Sequence, residues 1–222
     1  MKIIAINASP RKNWNTAQLV KSAADGAKES GAEVEIIDLY SIGKYSGCVS
    51  CFGCKTKQHY GQCVCNDALK PILDKIRMAD GLIIGTPNYL GEATAAFRAL
   101  YERLIFQYIT YNNENFNCDN RQIPVLFIMT SNAGDLAYEQ GGFYNNLIRN
   151  YQDTFNRFIG QTEVLVAGDT KQVSDYTKYD WTMFDTDAKV KRHETVFPNK
   201  LEQARLSGIK MAQKFVAHTR RG

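Results

Sequence analysis

The 222-residue chain carries 44% apolar and 23% charged residues, the balance of an ordinary water-soluble protein able to bury a sizeable core. Its 27 basic and 23 acidic residues leave a formal charge of +4 mixed along the chain, too mild for a nucleic-acid footprint yet compatible with an anionic ligand. No apolar run approaches the roughly 20 residues of a membrane helix, and the N-terminus reads directly as strand with no leader, so a cytoplasmic protein without membrane or nucleic-acid partners is expected.

The chain opens on Ile3-Ile4-Ala5-Ile6, breaks at Asn7-Ala8-Ser9-Pro10 and passes through Arg11, Lys12, Asn13 and Asn15 to Thr16. A buried strand that ends in a hydroxyl-, amide- and cation-rich loop before a helix start suits a phosphate. The free N–H groups and the positive dipole end of the helix face such a loop. Ser9, Asn15 and Thr16 supply donors and Arg11 a bidentate fork. The loop lacks the lysine-serine ending of a P-loop and the spaced glycines of a dinucleotide fingerprint, which disfavours ATP and Rossmann-type NAD binding. A polar turn that merely caps the helix is the competing reading.

Residues 17–29 have helical spacing, Gly31 ends them, and 34–39 read as a second strand, which implies a parallel crossover. Residues 43–65 are loop by composition. Asn66 or Asp67 can cap a helix over 68–78, with Pro71 tolerated in its first turn. Residues 81–85 are apolar throughout, as a strand covered on both faces requires, and run into Thr86-Pro87-Asn88-Tyr89-Leu90-Gly91. A helix over 93–107, a polar loop over 108–122, a strand over 125–129 and the turn Thr130-Ser131-Asn132-Ala133-Gly134 follow. A helix over 143–158, a fifth strand over 163–167 and a final helix over 199–216 complete the pattern. Residues 168–198 are polar with scattered aromatics (Tyr176, Tyr179, Trp181, Phe184) and read as an irregular arm or lid. There is no repeat, low-complexity tract or linker, so one domain over 1–222 is expected.

Five strands alternating with helices give an α/β fold, an open doubly wound parallel sheet of order 2-1-3-4-5 with helices on both faces. In that order ligands bind beyond the carboxyl ends of the strands, at the switch between strands 1 and 3. The three unusual loops, 8–16, 86–91 and 130–134, follow strands 1, 3 and 4, so topology places all three around one crevice. Pro87 fixes the second loop, whose following N–H groups can reach a ring, and Tyr89 offers an aromatic face or a hydroxyl.

Five of the six cysteines fall between Cys48 and Cys65, and Cys118 stands apart. In a reducing compartment such a cluster points to metal or redox chemistry before a disulfide framework. Cys48, Cys51 and Cys54 place three thiolates on one turn, and Cys63 can return as a fourth. Four thiolates suit a cubane iron–sulfur cluster or tetrahedral zinc, and reduced thiols in a contact loop are the third reading. Cys65, Cys118 and His59 read as bystanders, and His193 and His218 have no evident partners. No Ser-His-Asp or paired-carboxylate arrangement can be placed in the crevice, which argues against hydrolysis.

The ordered motifs NASPRKNWNT, CxxCxxC leading into CNDALKPIL, and ADGLIIGTPNYLGEATAAF resemble the flavodoxin-like NADPH-dependent FMN reductases, and within them the iron–sulfur flavoprotein branch, over roughly 1–135. The resemblance implies that Ser9, Arg11, Asn15 and Thr16 hold the FMN phosphate. It implies that Pro87, Asn88, Tyr89 and Gly91 line the isoalloxazine, and that Thr130, Ser131 and Asn132 close over it from the other side. It also implies a [4Fe–4S] cluster on Cys48, Cys51, Cys54 and Cys63, although the eight residues between Cys54 and Cys63 exceed the branch's compact spacing. Ala8 and Trp14 stand where the family usually has glycine. Implied with these are hydride transfer from NAD(P)H to FMN, an electron acceptor that is a small molecule or a protein, and a homodimer or homotetramer. No catalytic side chain is implied, the chemistry being centred on the flavin. A cluster-free quinone, nitro-compound or metal-ion reductase, and a non-catalytic flavin electron carrier, are the alternatives.

Overall fold

The computed structural model describes the backbone of residues 1–219 and the side chains of residues 1–213, so His218 lies outside the described side chains. In chain order the elements are β1 (Lys2–Asn7), α1 (Asn15–Glu29), β2 (Glu33–Asp38), α2 (Lys70–Arg77), β3 (Gly81–Tyr89), β4 (Glu92–Ala93), α3 (Ala95–Tyr108), β5 (Val125–Thr130), α4 (Asn145–Phe158), β6 (Thr162–Ala167), α5 (Thr186–Thr195) and α6 (Phe197–Thr219). The long strands pair in parallel in the order β2-β1-β3-β5-β6, the expected order once β4 is set aside. The register runs Ile6↔Ile84 between β1 and β3 and Ile84↔Phe127 between β3 and β5.

Because side chains alternate across a strand, the central strands bury both faces. Ile4, Ile6, Leu82, Ile84, Phe127 and Met129 point into a core shared with α2, α3 and α4. Ile3, Ala5, Ile83, Leu126 and Ile128 point into the opposite core against α1 and α6. The first core is rich in rings: Phe97, Tyr101, Phe127, Tyr151 and Phe155 meet mostly in edge-to-face and tilted pairs, with Phe97 and Tyr151 centroids 5.1 Å apart.

The second core depends on helices that touch backbone to backbone. Small residues Ala23, Ala24 and Ala27 of α1 face Ala204 and Ala212 of α6, and Gly208 sits among them. A Cβ at Gly208 would overlap the Ala23 carbonyl, and one at Gly26 the Arg205 carbonyl. We therefore expect Gly208→Ala to destabilise the protein by about 2 kcal/mol, roughly 4–8 °C in Tm, although alanine is the better helix former; a thermal melt followed by circular dichroism checks this.

Two stretches differ from the sequence expectation. The third strand does not end at Gly85 but continues through Pro87 to Tyr89, then reverses through Leu90 and Gly91 to pair with β4, Tyr89 opposite Glu92. Both turn residues have positive φ, 56° at Leu90 and 83° at Gly91, the signature of a two-residue hairpin turn of the primed class. Within the arm, residues 186–195 form α5. Asp185 caps it by accepting from the N–H groups of Asp187 and Ala188, each at 3.0 Å. That helix lacks an apolar stripe. It is held by ion pairs instead: Lys189 with Asp169, and Arg192 with Asp135 at 3.0 Å and Asp169 at 3.6 Å.

Candidate functional site

The three loops predicted to converge do so. The end of β1 is tied to β3 by the Ala8 N–H bond to the Gly85 carbonyl, 2.8 Å. Thr94, which caps α3, donates its hydroxyl to the Ala8 carbonyl at 2.7 Å and takes its own N–H to Thr86 Oγ1 at 3.1 Å. Thr16 Oγ1 and Thr130 Oγ1 meet at 2.7 Å, joining the start of α1 to the end of β5. One hydroxyl proton of that pair is consumed by the contact and the other stays available to a ligand.

In the first loop Ser9 is buried. Its N–H donates to Asn7 Oδ1 at 3.1 Å, and its Oγ accepts the Arg11 N–H at 3.2 Å. Asn7 in turn donates to Asp38 on β2. Trp14 stands at the cap position of α1 but makes no side-chain capping bond, so the first-turn N–H groups of the helix receive no cap from it. The side chains of Arg11 and Asn15 are not directed at the middle of the loop. Arg11 donates to the Gln172 carbonyl, while Asn15 Nδ2 and Trp14 Nε1 both donate to the Lys171 carbonyl, at 2.7 and 3.0 Å. The arm is therefore laid across the loop, and Trp14 folds outward beneath the Arg11 guanidinium, 4.2 Å from the ring centroid. This explains how tryptophan is accommodated where a small residue was expected. Nothing in the sequence of the arm identified Lys171 and Gln172 as partners, since they act through backbone carbonyls.

In the second loop Pro87 is buried and Tyr89 is exposed on the rim. Burial pushes the Tyr89 phenol up, Tyr40 adds to this and Arg11 opposes it, which places all three on one rim. Asn88 is committed to holding the hairpin: its Oδ1 accepts the Gly91 N–H at 2.9 Å and its Nδ2 donates to the Tyr138 hydroxyl at 2.6 Å. Tyr138 was not singled out from the sequence. It links this hairpin to the third loop, and burial raises its phenol against hydrogen bonds with Ser131 and Asn88.

In the third loop Thr130 and Ser131 are buried and Asn132 is exposed. Ser131 Oγ accepts the Ala133 N–H at 3.0 Å, and its carbonyl accepts both the N–H and the hydroxyl of Thr170. Asn132 accepts from Gln172, so the arm touches the first and third loops together. The ordered rim thus has a floor built by hydroxyls and a strap made by 169–172.

The cysteine loop forms a separate small concavity beside α3, lined by Cys48, Cys51, Cys54, Cys63 and Cys65 with Val49, Phe52, Val64 and Phe106. Ser50 and Phe52, on either side of Cys51, have φ of 54° and 56°. These left-handed residues curl the loop so that its thiols share one hollow, at a cost of about 1–3 kcal/mol each. Burial pushes the Cys54 thiol up, Lys55 lowers it, and Cys63 and Cys48 raise it, consistent with three neighbouring sulfurs. Lys55 also fastens the loop to the C-terminus of α3, donating to the Phe106 and Ile109 carbonyls, where the helix dipole favours a cation. Arg103 of α3, its side chain 1% exposed, donates to both Asp67 oxygens at 2.7 Å, to the Cys65 carbonyl at 2.8 Å and to Cys63 Sγ at 3.3 Å. Asp67 is thus spent on Arg103 and on the Leu69 N–H instead of capping α2 from its cap position, which Leu69 occupies.

Among the described residues no three His, Cys, Asp or Glu side chains converge closely enough to hold one metal ion. His59 is exposed on a short 3-10 turn, and Cys118 donates to the Gln107 carbonyl at 3.6 Å, outside the hollow's lining. Among the described residues no helix is long and apolar enough to cross a membrane.

Residues 1–140 match the sequence family described as NADPH-dependent FMN reductase. The iron–sulfur flavoprotein of Methanosarcina thermophila is 31% identical over 134 residues, covering 60% of this chain and 66% of that one. An iron–sulfur flavoprotein of Methanocaldococcus jannaschii is 38% identical over 103 residues, covering 46% and 51%. The chain thus spans between 45% and 66% of the length of these and other curated relatives it matches. The structure of an NAD(P)H:quinone oxidoreductase from Methanothermobacter marburgensis superposes with a TM-score of 0.68 over 95% of this chain and 96% of that one, at 13% identity, a likeness of fold alone. With the match extending over more than half its length, the chain belongs to the NADPH-dependent FMN reductase family.

Proposed function

We propose that the protein is an FMN-dependent oxidoreductase that passes electrons from NAD(P)H to an acceptor, with a [4Fe–4S] cluster in the cysteine hollow. The observation that carries the reading is the convergence of the Ser9–Thr16, Thr86–Gly91 and Thr130–Asn132 loops at the β1/β3 switch point. The residues fit the phosphate: α1 begins without a side-chain cap, a hydroxyl pair offers a spare proton, and Arg11 adds the nearby cation. They fit a cluster as well, because a cubane takes each thiolate on a different iron and needs no common point. When bound, FMN and a cluster would supply the conversion of a hydride into single electrons.

The protein's own part is to position and to exclude. Ser9, Thr16 and the first turn of α1 hold the phosphate, and Arg11 and Asn15 turn to it from the strap carbonyls that they contact here. Pro87 and the hairpin tip, fixed by Asn88 and Tyr138, set the edge against which the ring lies. Thr130, Ser131 and Asn132 cover the other edge. Cys48, Cys51, Cys54 and Cys63 are the proposed cluster ligands. The exposed apolar collar of Tyr89, Leu90, Leu136 and Phe143 at this rim is read as a contact between subunits of a homodimer or homotetramer.

Anaerobically purified protein should show flavin absorbance together with the broad band of an iron–sulfur centre, and should oxidise NADPH or NADH when an artificial acceptor is added. Flavin without iron or sulfide favours the cluster-free reductase, which the long Cys54–Cys63 spacing supports. Flavin and no turnover with either nicotinamide favours an electron carrier. Protein that is colourless and stays so with added FMN contradicts the reading.

A further inference from the structure

Gln107 is 3% exposed, on the face of α3 that carries Arg103 one turn earlier. Its Oε1 accepts the Cys63 N–H at 3.1 Å, so its orientation is fixed. Its Nε2 is left buried with no hydrogen-bond partner, and the residue lines the cysteine hollow. An unpaired buried amide donor is costly, and native proteins rarely keep one without a use. Apart from the thiols, Arg103 and Gly47, the hollow is walled by Val49, Phe52, Val64 and Phe106, so it holds few of the two to four polar partners that a buried water needs. What the hollow does offer is sulfur.

We propose that Arg103 and Gln107 are positioning residues that donate hydrogen bonds to the sulfur of a cluster held in this hollow and thereby raise its reduction potential. The proposal rests on the cluster reading above and adds to it the two groups that tune the site. Arg103 already shows the mode, donating Nε–H to Cys63 Sγ at 3.3 Å with the guanidinium locked on Asp67. Gln107 presents a second, unspent donor at the wall of the same hollow. The pair also separates the two late cysteines. The Cys63 sulfur faces a cationic donor, as a ligating thiolate should, whereas the Cys65 sulfur lies 3.9 Å from Asp67 Oδ2 and donates to a carboxylate. Donors and positive charge stabilise the reduced, more negative state of a cluster more than its oxidised state, so their removal moves the potential down.

The test uses the full chain reconstituted anaerobically with ferrous iron and sulfide, as wild type, Gln107→Met, Arg103→Lys and the double variant. Gln107→Met keeps the side-chain volume and removes both the Nε2 donor and the acceptor that holds the Cys63 N–H. Arg103→Lys keeps a cation for Asp67 and removes the Nε donor. Iron and sulfide per chain are measured first, then the midpoint potential by a titration followed by electron paramagnetic resonance. Each single variant should load like wild type and lose about tenfold in the reduction equilibrium, 59 mV for one electron, with the double variant lower still. Loaded variants whose potential equals or exceeds that of wild type overturn the proposal. So do variants that take up no cluster, since the role is then structural. A wild type that takes up no iron or sulfide overturns the cluster reading itself, before any variant is compared.

Discussion

Replacing Arg103 by methionine should cost about 3–5 kcal/mol, roughly 6–20 °C in Tm, and should loosen the cysteine loop before the rest of the fold. The guanidinium is the largest fully buried side chain among the described residues, and it serves Asp67, the Ser46 and Cys65 carbonyls and Cys63 at once. Methionine matches much of its volume, so the loss comes from Asp67, stranded with little solvent access and no cation. The pH dependence carries a sign. Burial alone would raise the Asp67 carboxyl, but hydrogen bonds from Arg103 and from the Ser46 and Leu69 N–H groups outweigh it and hold the carboxyl below its ordinary range. A depressed carboxyl stabilises the fold above the unfolded value, about 3.9, and loses that contribution as pH falls through the folded value. The gap between wild type and variant should therefore be full at pH 5–7 and shrink in stronger acid. Melts across that range, with amide exchange of residues 46–67, test both the size and the locality of the effect.

Reversing the charge at Arg11 should separate the phosphate from the ring. Arg11 is exposed and its bond to the Gln172 carbonyl is a surface contact, so Arg11→Glu should leave Tm within a degree or two. Its guanidinium, however, is one of two cations in the first loop, beside Lys12, and the one able to make a bidentate fork, and charge-assisted bonds contribute about 1.5–3 kcal/mol. Adding like-charge repulsion, the affinity for FMN should fall about 100-fold while that for riboflavin, which lacks the phosphate, is unchanged. Fluorescence titrations with the two flavins decide the matter: an equal loss for both would place the phosphate elsewhere.

The sequence was informative where chemistry and periodicity coincide. Ile3–Ile6, Leu82–Ile84 and Val125–Met129 are apolar on both faces, so they could only be covered parallel strands, and the strand order then brought three odd loops to one rim. It was less informative where backbone atoms do the work. The strap meets Arg11, Trp14 and Asn15 through the carbonyls of residues 171 and 172, and any residue carries a carbonyl. The hairpin at Leu90–Gly91 was hidden because leucine disfavours the left-handed region that its first turn position requires. Helix α5 escaped notice because it has a cap and ion pairs but no apolar stripe, although Asp185, the acidic first turn and the basic last turn were legible signals. Nothing in the sequence singled out Arg103 and Gln107, and only the fold reveals that they are buried against the cysteines.

The central claim is that the Ser9–Thr16 loop holds the phosphate of a flavin lodged at the switch point between β1 and β3. Titration of the flavin-free wild-type protein with FMN and, in parallel, with riboflavin tests it most directly. One FMN per chain should bind, at least 100-fold more tightly than riboflavin, about 2.7 kcal/mol of phosphate recognition. Equal affinity for the two flavins, or no binding of FMN, would contradict it.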